Sequence, residues 1–297
     1  KSLGLLDATL LVSGSMIGSG IFIVSTLMLR DIGSPAWLLV LWVLTGLITV
    51  FAALSYGELA GMMPNAGGQY VYIQRAYGKM ASFLYGWTVF TVIQTGVIAA
   101  VAVAFAKYTA VFFPELNEVI LVTPVVSVTW AQVLAIASVV FLTYSNSRGV
   151  QNGRIIQFVF TFAKLFALGA LIILGIYIGL KTDVFALNFT DAWKATKTVV
   201  SDGGNKVFQS PLTGWALVGA LGATIINSLF SADAWNNVTF IAGEIKDPKK
   251  NIPKSLFFGT LIVTLIYILA NIAYLALLPI NGSPDGLNPI DQGMLFA

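Results

Sequence analysis

Seven long apolar segments constrain the fold of this chain more than any other feature. Each is long enough to cross the hydrocarbon core of a bilayer, which needs about 20 apolar residues in a helix. Only 10% of the 297 residues are charged and 57% are hydrophobic, whereas a soluble domain carries about 25% charged residues. The sequence therefore predicts an all-α, multi-pass integral membrane protein, with no strands and with spans near 6–29, 36–61, 81–113, 124–144, 155–180, 212–243 and 255–280.

The lysine and arginine residues predict the orientation of these spans. With the N-terminus in the cytoplasm, nine of these residues lie in cytoplasmic stretches and five in outer stretches, four of the five in a long polar loop. Because short cytoplasmic loops carry an excess of lysine and arginine, this distribution predicts a cytoplasmic N-terminus. The basic residues therefore reflect membrane topology, and no nucleic-acid partner is expected.

The first span contains residues that weaken a helix in its middle. Three glycines and three serines occupy positions 13–20, and together they disfavour a continuous helix. Backbone groups that are freed at membrane depth are tolerated only where they are buried in protein or line a water-filled cavity. We expect a break near Gly18-Ser19-Gly20 that holds a small polar ligand. Close helix packing through the small residues Gly14 and Gly18 is the alternative.

The sixth span is interrupted by polar residues, among them Ser231 and Asp233. An aspartate near the bilayer centre costs at least about 2.5–3.5 kcal/mol, so it should face a cavity or a partner. Two interrupted spans that lie five spans apart are typical of inverted repeats with a substrate site at the midplane. We expect residues 1–180 to form the first repeat, 181–211 an extracellular loop, and 212–297 the start of the second repeat.

Two such breaks could bind both ends of a zwitterion. The half-helix N-terminus after the first break offers N–H groups and the positive end of a helix dipole to a carboxylate. Unwound carbonyl groups and the Asp233 carboxylate offer acceptors to an ammonium group. These features give a physical reason to expect an amino acid as the small-molecule partner.

Three sequence blocks resemble signatures of the amino acid–polyamine–organocation transporter superfamily. The first is a first-helix motif, GSGIF at 18–22. The second is a second-helix and loop motif, YGELA at 56–60 with related residues at 64–72 and 76–78. The third is similar to the L-type, heteromeric light-chain branch and reads FSADAWN at 230–236 with EIKDP-x-x-NIP at 244–253. The resemblance covers the whole chain. It implies a twelve-span, five-plus-five inverted-repeat fold with discontinuous helices 1 and 6. About seven spans are expected here, so the chain is expected to be truncated.

The resemblance also implies roles for individual residues at the first break. The backbone N–H groups of Gly18, Ser19 and Gly20 would bind the substrate carboxylate. The carbonyl groups of Met16 or Ile17 would accept hydrogen bonds from the α-ammonium group, together with the carbonyl group of the second break described next.

At the second break, the resemblance implies that the Phe230 carbonyl binds the ammonium group and that its ring closes over the site as a lid. Contact with lipid or with the core is the alternative for this ring. Ser231 belongs to the same substrate-binding set, and Trp235 and Asn236 would shape the floor of the pocket or simply pack there. Asp233 departs from family members that favour large neutral substrates, which usually have a small residue at this position. A cationic or small polar substrate is therefore favoured over a bulky aromatic one, and the choice stays open.

A lysine lies deep in the fifth predicted span. Lys164 is about nine residues from the start of the span, so its depth is roughly 13 Å at 1.5 Å per residue, too far for comfortable snorkelling. The resemblance places it where sodium-coupled relatives bind an ion. As a gating or coupling residue it would tie the first helix to the eighth, which implies sodium-independent transport. A proton carrier and a bystander are the alternatives.

These observations together predict a secondary-active amino acid transporter and no enzyme. The chain has no histidine and no cysteine, so a serine hydrolase would lack its usual base, and no cofactor or metal site is expected. A seven-helix receptor is opposed by the charge distribution. We expect a sodium-independent exchanger in the plasma membrane that works by alternating access, with a proton-coupled symporter as the alternative. The partners expected are an amino acid and the lipid bilayer, without a disulfide-linked heavy chain.

Overall fold

The computed structural model describes residues 3–122, 127–147, 150–201, 206–282 and 294. The described residues form ten α-helices, which are α1 (Leu5–Met16), α2 (Gly20–Ile32), α3 (Pro35–Met62), α4 (Gln69–Thr88), α5 (Gln94–Phe112), α6 (Trp130–Ser147), α7 (Val150–Gly179), α8 (Val184–Asn188), α9 (Gly214–Ser231) and α10 (Pro248–Leu277). They also form four short strands, β1 (Val119–Val122), β2 (Ser127–Thr129), β3 (Thr196–Ser201) and β4 (Lys206–Pro211).

Packing divides the chain into two compact units. The first combines Lys1–Gly68 with Val159–Ala297, and the second is Gln69–Phe158. Helix α7 contributes to both. The boundaries of these units do not coincide with the predicted repeat boundaries at 180 and 212. The repeat assignment therefore stays a prediction.

In the first unit, α10 packs along α3 and α1. Small residues allow these helices to approach closely. A Cβ atom on Gly259 of α10 would lie 2.5 Å from Cγ1 of Val12, and one on Gly46 of α3 would lie 2.1 Å from Cγ2 of Thr264. A larger residue at either position would force the helices apart.

The junction between α2 and α3 is fixed by standard capping chemistry. Gly33 ends α2 in the left-handed conformation (φ 54°), which glycine adopts without a steric penalty. The Ser34 side chain then accepts from the backbone N–H of Trp37 at 3.3 Å, and Pro35 fills the first position of α3, where its missing N–H costs nothing.

The segment predicted as a loop at 181–211 contains helix α8 and strands β3 and β4. Strands β3 and β4 pair as an antiparallel hairpin. Asn188 donates through Nδ2 to the carbonyl oxygens of Leu275 (2.8 Å) and Leu278 (2.9 Å), and its Oδ1 accepts from the N–H of Ile280 at 2.9 Å. This side chain therefore satisfies carbonyl groups at the end of α10 that have no intrahelical partner.

In the second unit, α4 is kinked at Gly78, whose backbone is non-helical (φ 87°, ψ −178°), and a π-helical turn, Val89–Ile93, joins α4 to α5. Helix α5 packs on α6 through four alanines, namely Ala102, Ala106, Ala131 and Ala135. Their spacing of four residues places each pair on one helix face.

The structure departs from the predicted spans in two respects. The third span is not one of them: its helix begins at Gln69, but the backbone is non-helical at Gly78 (φ 87°, ψ −178°), and the part after this kink starts close to the predicted residue 81. The fourth, predicted at 124–144, is α6, which starts only at Trp130. The expectation that no strands form was wrong: both β1–β2, just before α6, and β3–β4 are antiparallel hairpins, built from β-branched residues that favour strand pairing.

The number of membrane-length helices also differs from seven. Among the described residues, five helices are long and apolar enough to cross a membrane, and α1 with α2, bent by 41°, would make a sixth. Helix α6 is not one of them. The prediction of a mainly helical fold with discontinuous helices 1 and 6 is confirmed.

Candidate functional site

The first helix break consists of three residues. Helix α1 ends at Met16, Ile17 is extended (φ −73°, ψ 98°), and α2 begins at Gly20 after Ser19. Met16 and Ile17 are buried, whereas Gly18 and Ser19 are exposed. The first N–H groups of a helix have no intrahelical partner and carry its positive dipole end. The break therefore presents hydrogen-bond donors at an accessible surface.

The second helix break begins where α9 ends, at Ser231. Ala234 has the left-handed conformation (φ 69°, ψ 4°), and a 3₁₀ turn, Trp235–Thr239, follows it. Phe230 is 74% exposed, and Asp233 is also exposed. The break therefore presents the carbonyl end of a helix, an aromatic ring and a carboxylate on one short segment.

The two breaks lie against each other. A Cβ atom placed on Gly20 would lie 2.5 Å from Oγ of Ser231, so only glycine fits at the start of α2. The Ser231 hydroxyl is buried and has no hydrogen-bond partner among the described residues. The donor end of α2 and the carbonyl end of α9 therefore meet at one place.

A tyrosine that the sequence analysis did not single out bridges the two breaks. The Tyr267 hydroxyl on α10 donates to the carbonyl oxygens of Met16 (2.9 Å) and Ser231 (3.3 Å), the last residues of α1 and α9. Its side chain is only 2% exposed. A buried phenol in a spanning helix usually has a hydrogen-bond partner, and this rule was the signal available in the sequence.

Two further polar residues continue from Tyr267. The Asn271 side chain donates through Nδ2 to the Tyr267 carbonyl oxygen at 2.8 Å, and its Oδ1 accepts from the Ser25 hydroxyl of α2 at 2.5 Å. Asn271 and Ser25 are both buried. Helix α10 thus contacts the end of α1, the middle of α2 and the end of α9 through polar groups.

Lys164 of α7 lies at the first break. Its ammonium group donates to the carbonyl oxygen of Ile17 at 2.9 Å and to that of Gly14 at 3.4 Å. These carbonyl groups belong to the C-terminal end of α1, where the helix dipole favours a cation. The Lys164 ammonium group therefore contacts the end of the first interrupted helix. The predicted contact with an eighth helix stays a prediction.

The residues predicted for the floor of the pocket lie beyond the second break. The Trp235 ring packs edge-on against Tyr56, with ring centroids 4.9 Å apart and an angle of 86°. The Asn236 carbonyl accepts from the Thr239 hydroxyl at 2.7 Å, which closes the 3₁₀ turn. Further on, Leu3 forms backbone hydrogen bonds with the segment around Ile245.

Among the described residues there is no group of three or more histidine, cysteine, aspartate or glutamate side chains that could hold a metal ion. The polar groups at the breaks are backbone N–H and C=O groups, hydroxyls, one ammonium and one carboxylate. This set can bind a small zwitterion by hydrogen bonds and charge.

Comparison with known proteins places the chain in a family. Residues 3–295 match the family model described as amino acid permease. The chain belongs to this family. As an amino acid permease it also resembles curated transporters, which confirms the resemblance to the superfamily and to its light-chain branch. Mouse b(0,+)-type amino acid transporter 1 is 31% identical over 275 residues, which cover 92% of this chain and 51% of that protein.

Two other relatives match similarly. Human large neutral amino acids transporter small subunit 2 is 31% identical over 280 residues, which cover 92% of this permease chain and 47% of the relative. Mouse Asc-type amino acid transporter 1 is 30% identical over 274 residues, which cover 92% of this chain and 47% of the relative. The chain spans about half the length of the curated relatives it matches.

Proposed function

We propose that the protein is a secondary-active amino acid transporter whose substrate binds between the two helix breaks. The observation that carries this proposal is the close approach of Gly20 and Ser231. There the positive N-terminal end of α2 and the negative C-terminal end of α9 meet. An α-amino acid presents a carboxylate and an ammonium group on adjacent atoms, so it matches this pair of helix ends.

The carboxylate half of the site is formed by the N–H groups of Gly18, Ser19 and Gly20. Helix N-termini bind anions through such groups. The buried Ser231 hydroxyl, which has no partner among the described residues, supports this assignment. An unpaired buried hydroxyl costs about 1–3 kcal/mol, and a bound carboxylate would remove this cost by accepting its hydrogen bond.

The ammonium half is formed by carbonyl groups. The carbonyls of Met16 and Ile17 already accept from Tyr267 and Lys164, although each oxygen has a second lone pair. The Phe230 carbonyl accepts from the N–H of Ala232 and, at 3.3 Å, from that of Asp233. We assign the Phe230 carbonyl as an acceptor together with those of Met16 and Ile17.

The second break also supplies a lid and selectivity. The exposed Phe230 ring lies one residue before the end of α9 and closes over bound substrate. Asp233 faces the substrate side chain, while Trp235 and Asn236 form the floor. An acidic group at this position favours a cationic or small polar substrate; the name of one relative refers instead to large neutral amino acids.

The transport mode that we propose is sodium-independent exchange by alternating access. The Lys164 ammonium group at the end of α1 supplies a fixed positive charge there. Proton-coupled symport is the second candidate, because the same amine could exchange a proton. We further propose a plasma-membrane location with a cytoplasmic N-terminus, and no disulfide-linked partner.

The test is uptake of labelled amino acids by the full-length protein in liposomes, in sodium-free buffer at two pH values, with and without unlabelled amino acid inside. Strong stimulation by internal substrate that does not depend on pH supports exchange. Uptake into empty vesicles that rises with an inward proton gradient supports symport. Absence of uptake for cationic, small polar and large neutral amino acids alike would refute the proposed function.

A further inference from the structure

We infer that the exposed face of α10 is a binding site for an anionic phospholipid. The headgroup phosphate lies at Lys250 and Lys254, and the acyl chains lie along the apolar side chains that follow on the same face. This inference goes beyond the proposed function, because it concerns the outer surface of the helix and does not depend on the substrate or on the helix breaks.

One face of α10 is exposed along most of the helix. Lys250 and Lys254 are exposed at its start. Four large apolar side chains continue the same face and are between 41% and 53% exposed, namely Phe258, Ile262, Leu265 and Leu269. Because successive members are three or four residues apart, all six side chains lie on one side of the helix. This face therefore begins with two ammonium groups and continues as an apolar surface.

The opposite face of α10 is buried. Ile252, Leu256 and Val263 have no exposed surface, and this helix packs along α3 and α1. Helix α10 is also long and apolar enough to cross a membrane. An apolar face that such a helix does not use for packing among the described residues is suited to contact lipid chains.

The length of α10 places the two lysines at the depth of lipid headgroups. Its 30 residues extend about 45 Å at 1.5 Å per residue, which is about the thickness of a bilayer with its headgroup regions. The hydrocarbon core needs about 20 residues, and counting back from Leu277 places its boundary near Phe258. Lys254 and Lys250 then lie about 6 Å and about 12 Å outside the core.

The charges at this end of α10 lack a counter-charge within the described part of the protein. The charged side chains of α10 are Lys249, Lys250 and Lys254, and the positive end of the helix dipole disfavours cations there. The acidic residues nearest in sequence, Glu244 and Asp247, are exposed, and among the described residues neither forms an ion pair with Lys250 or Lys254. A lipid phosphate would supply the counter-charge, and lysines beside a membrane attract anionic lipids.

A role in membrane topology alone predicts a different outcome. Lysines beside a spanning helix set its orientation through their number, and diffuse attraction to an anionic surface also depends on total charge. Removal of any two lysines from this segment would then weaken lipid binding equally. A site on the exposed face depends instead on the two lysines that lie on that face.

The experiment measures the binding of phospholipids to the full-length protein in detergent by native mass spectrometry. Phosphatidylglycerol is compared with phosphatidylcholine that has the same acyl chains. We expect the wild-type protein to prefer phosphatidylglycerol. We expect the double variant Lys250→Gln with Lys254→Gln to bind the first phosphatidylglycerol about 10- to 30-fold more weakly, as for the loss of two lysines at an anionic surface. Its affinity for phosphatidylcholine should stay the same.

The matched control is the double variant Lys246→Gln with Lys249→Gln. It removes the same charge from the same segment, but Lys246 precedes α10 and Lys249 is rotated by about 100° from Lys250 around the helix axis. We expect its affinity for phosphatidylglycerol to stay within about threefold of wild type. The double variant Lys250→Arg with Lys254→Arg keeps both charges and should bind this lipid as the wild type does.

Single variants keep the test decisive if the first double variant is not recovered as folded protein. Lys254→Gln should then weaken phosphatidylglycerol binding about fivefold, as for one lysine, and Lys249→Gln less than twofold. Equal losses on and off the exposed face overturn the inference, as does a wild-type protein that binds both lipids equally well. Either result leaves the proposed function intact, because no uptake is measured.

Discussion

The two helix breaks lie against each other but are held in different ways. At the first, the carbonyls of Met16 and Ile17 accept from Tyr267 and Lys164, and both residues are buried. At the second, the exposed Phe230 and Asp233 lie on a segment that continues only as a 3₁₀ turn. The first break accepts from two side chains of other helices, whereas at the second Tyr267 contacts Ser231 while Phe230 and Asp233 stay exposed.

This difference suits the two breaks to different roles in substrate binding. The first break is suited to bind the carboxylate and ammonium groups that all α-amino acids share, because the side chains that hold this break do not need to move. The second break is suited to discriminate side chains and to close over the substrate. Helix α9 is held at Ser228, whose hydroxyl lies 2.7 Å from that of Thr45, and at its last residue, Ser231, whose carbonyl oxygen lies 3.3 Å from the Tyr267 hydroxyl.

The largest expected effect comes from filling the contact between the breaks. Gly20→Leu places a branched side chain where even a Cβ atom lies 2.5 Å from Ser231 Oγ. We expect loss of uptake by more than about 100-fold with normal expression, since misplacement by about 1 Å can cost this much. Gly219→Leu is the control, because the described residues leave open space around that glycine. Normal transport by Gly20→Leu would refute the site assignment.

Removing the charged anchor of the first break should have the next largest effect. Lys164→Ala loses two hydrogen bonds from an ammonium group, and a hydrogen bond to a charged group is worth about 1.5–3 kcal/mol. We expect uptake at low substrate concentration to fall about 10- to 100-fold.

Lys107→Ala provides the matched control for this charge. Lys107 is exposed near the end of α5, so its removal should leave initial uptake rates unchanged. Equal losses in both variants would mean that any intramembrane lysine supports the protein, and the anchor would not be specific to the first break.

The second break should control selectivity more than rate. Asp233→Asn removes a charge and preserves the size of the side chain. We expect the preference for a dibasic over a bulky neutral amino acid to fall about fivefold, since an exposed ion pair contributes up to about 1 kcal/mol. Competition of each amino acid against one labelled substrate measures this ratio. An unchanged ratio would place Asp233 away from the substrate side chain.

The smallest effect should come from Ser231→Ala, and affinity and stability should change in opposite directions. If the buried hydroxyl donates to the substrate carboxylate, KM should rise about threefold. The substrate-free protein should melt at the same or a slightly higher temperature, because the unpaired buried group is gone. Uptake kinetics and a thermal melt without substrate measure the two quantities. A lower melting temperature with unchanged KM would contradict the proposed donor role.

The sequence by itself determined where the two helices are interrupted. Three glycines and three serines at positions 13–20 predicted the first break, and the polar run through Asp233 predicted the second. Both causes are local, because glycine weakens a helix wherever it occurs and lipid offers no partner to a carboxylate. The hairpins were missed since strand pairing depends on a second segment.

Only the tertiary structure decided what holds the breaks. The hydroxyl of Tyr267 reaches Met16, 251 residues earlier in the chain, and Ser25 meets Asn271 across 246 residues. Composition and periodicity describe one helix at a time, so they show that a buried phenol or amide needs a partner but not which one. That choice depends on the close packing of α10 with α1 and α3, which brings its polar side chains to the ends of the interrupted helices.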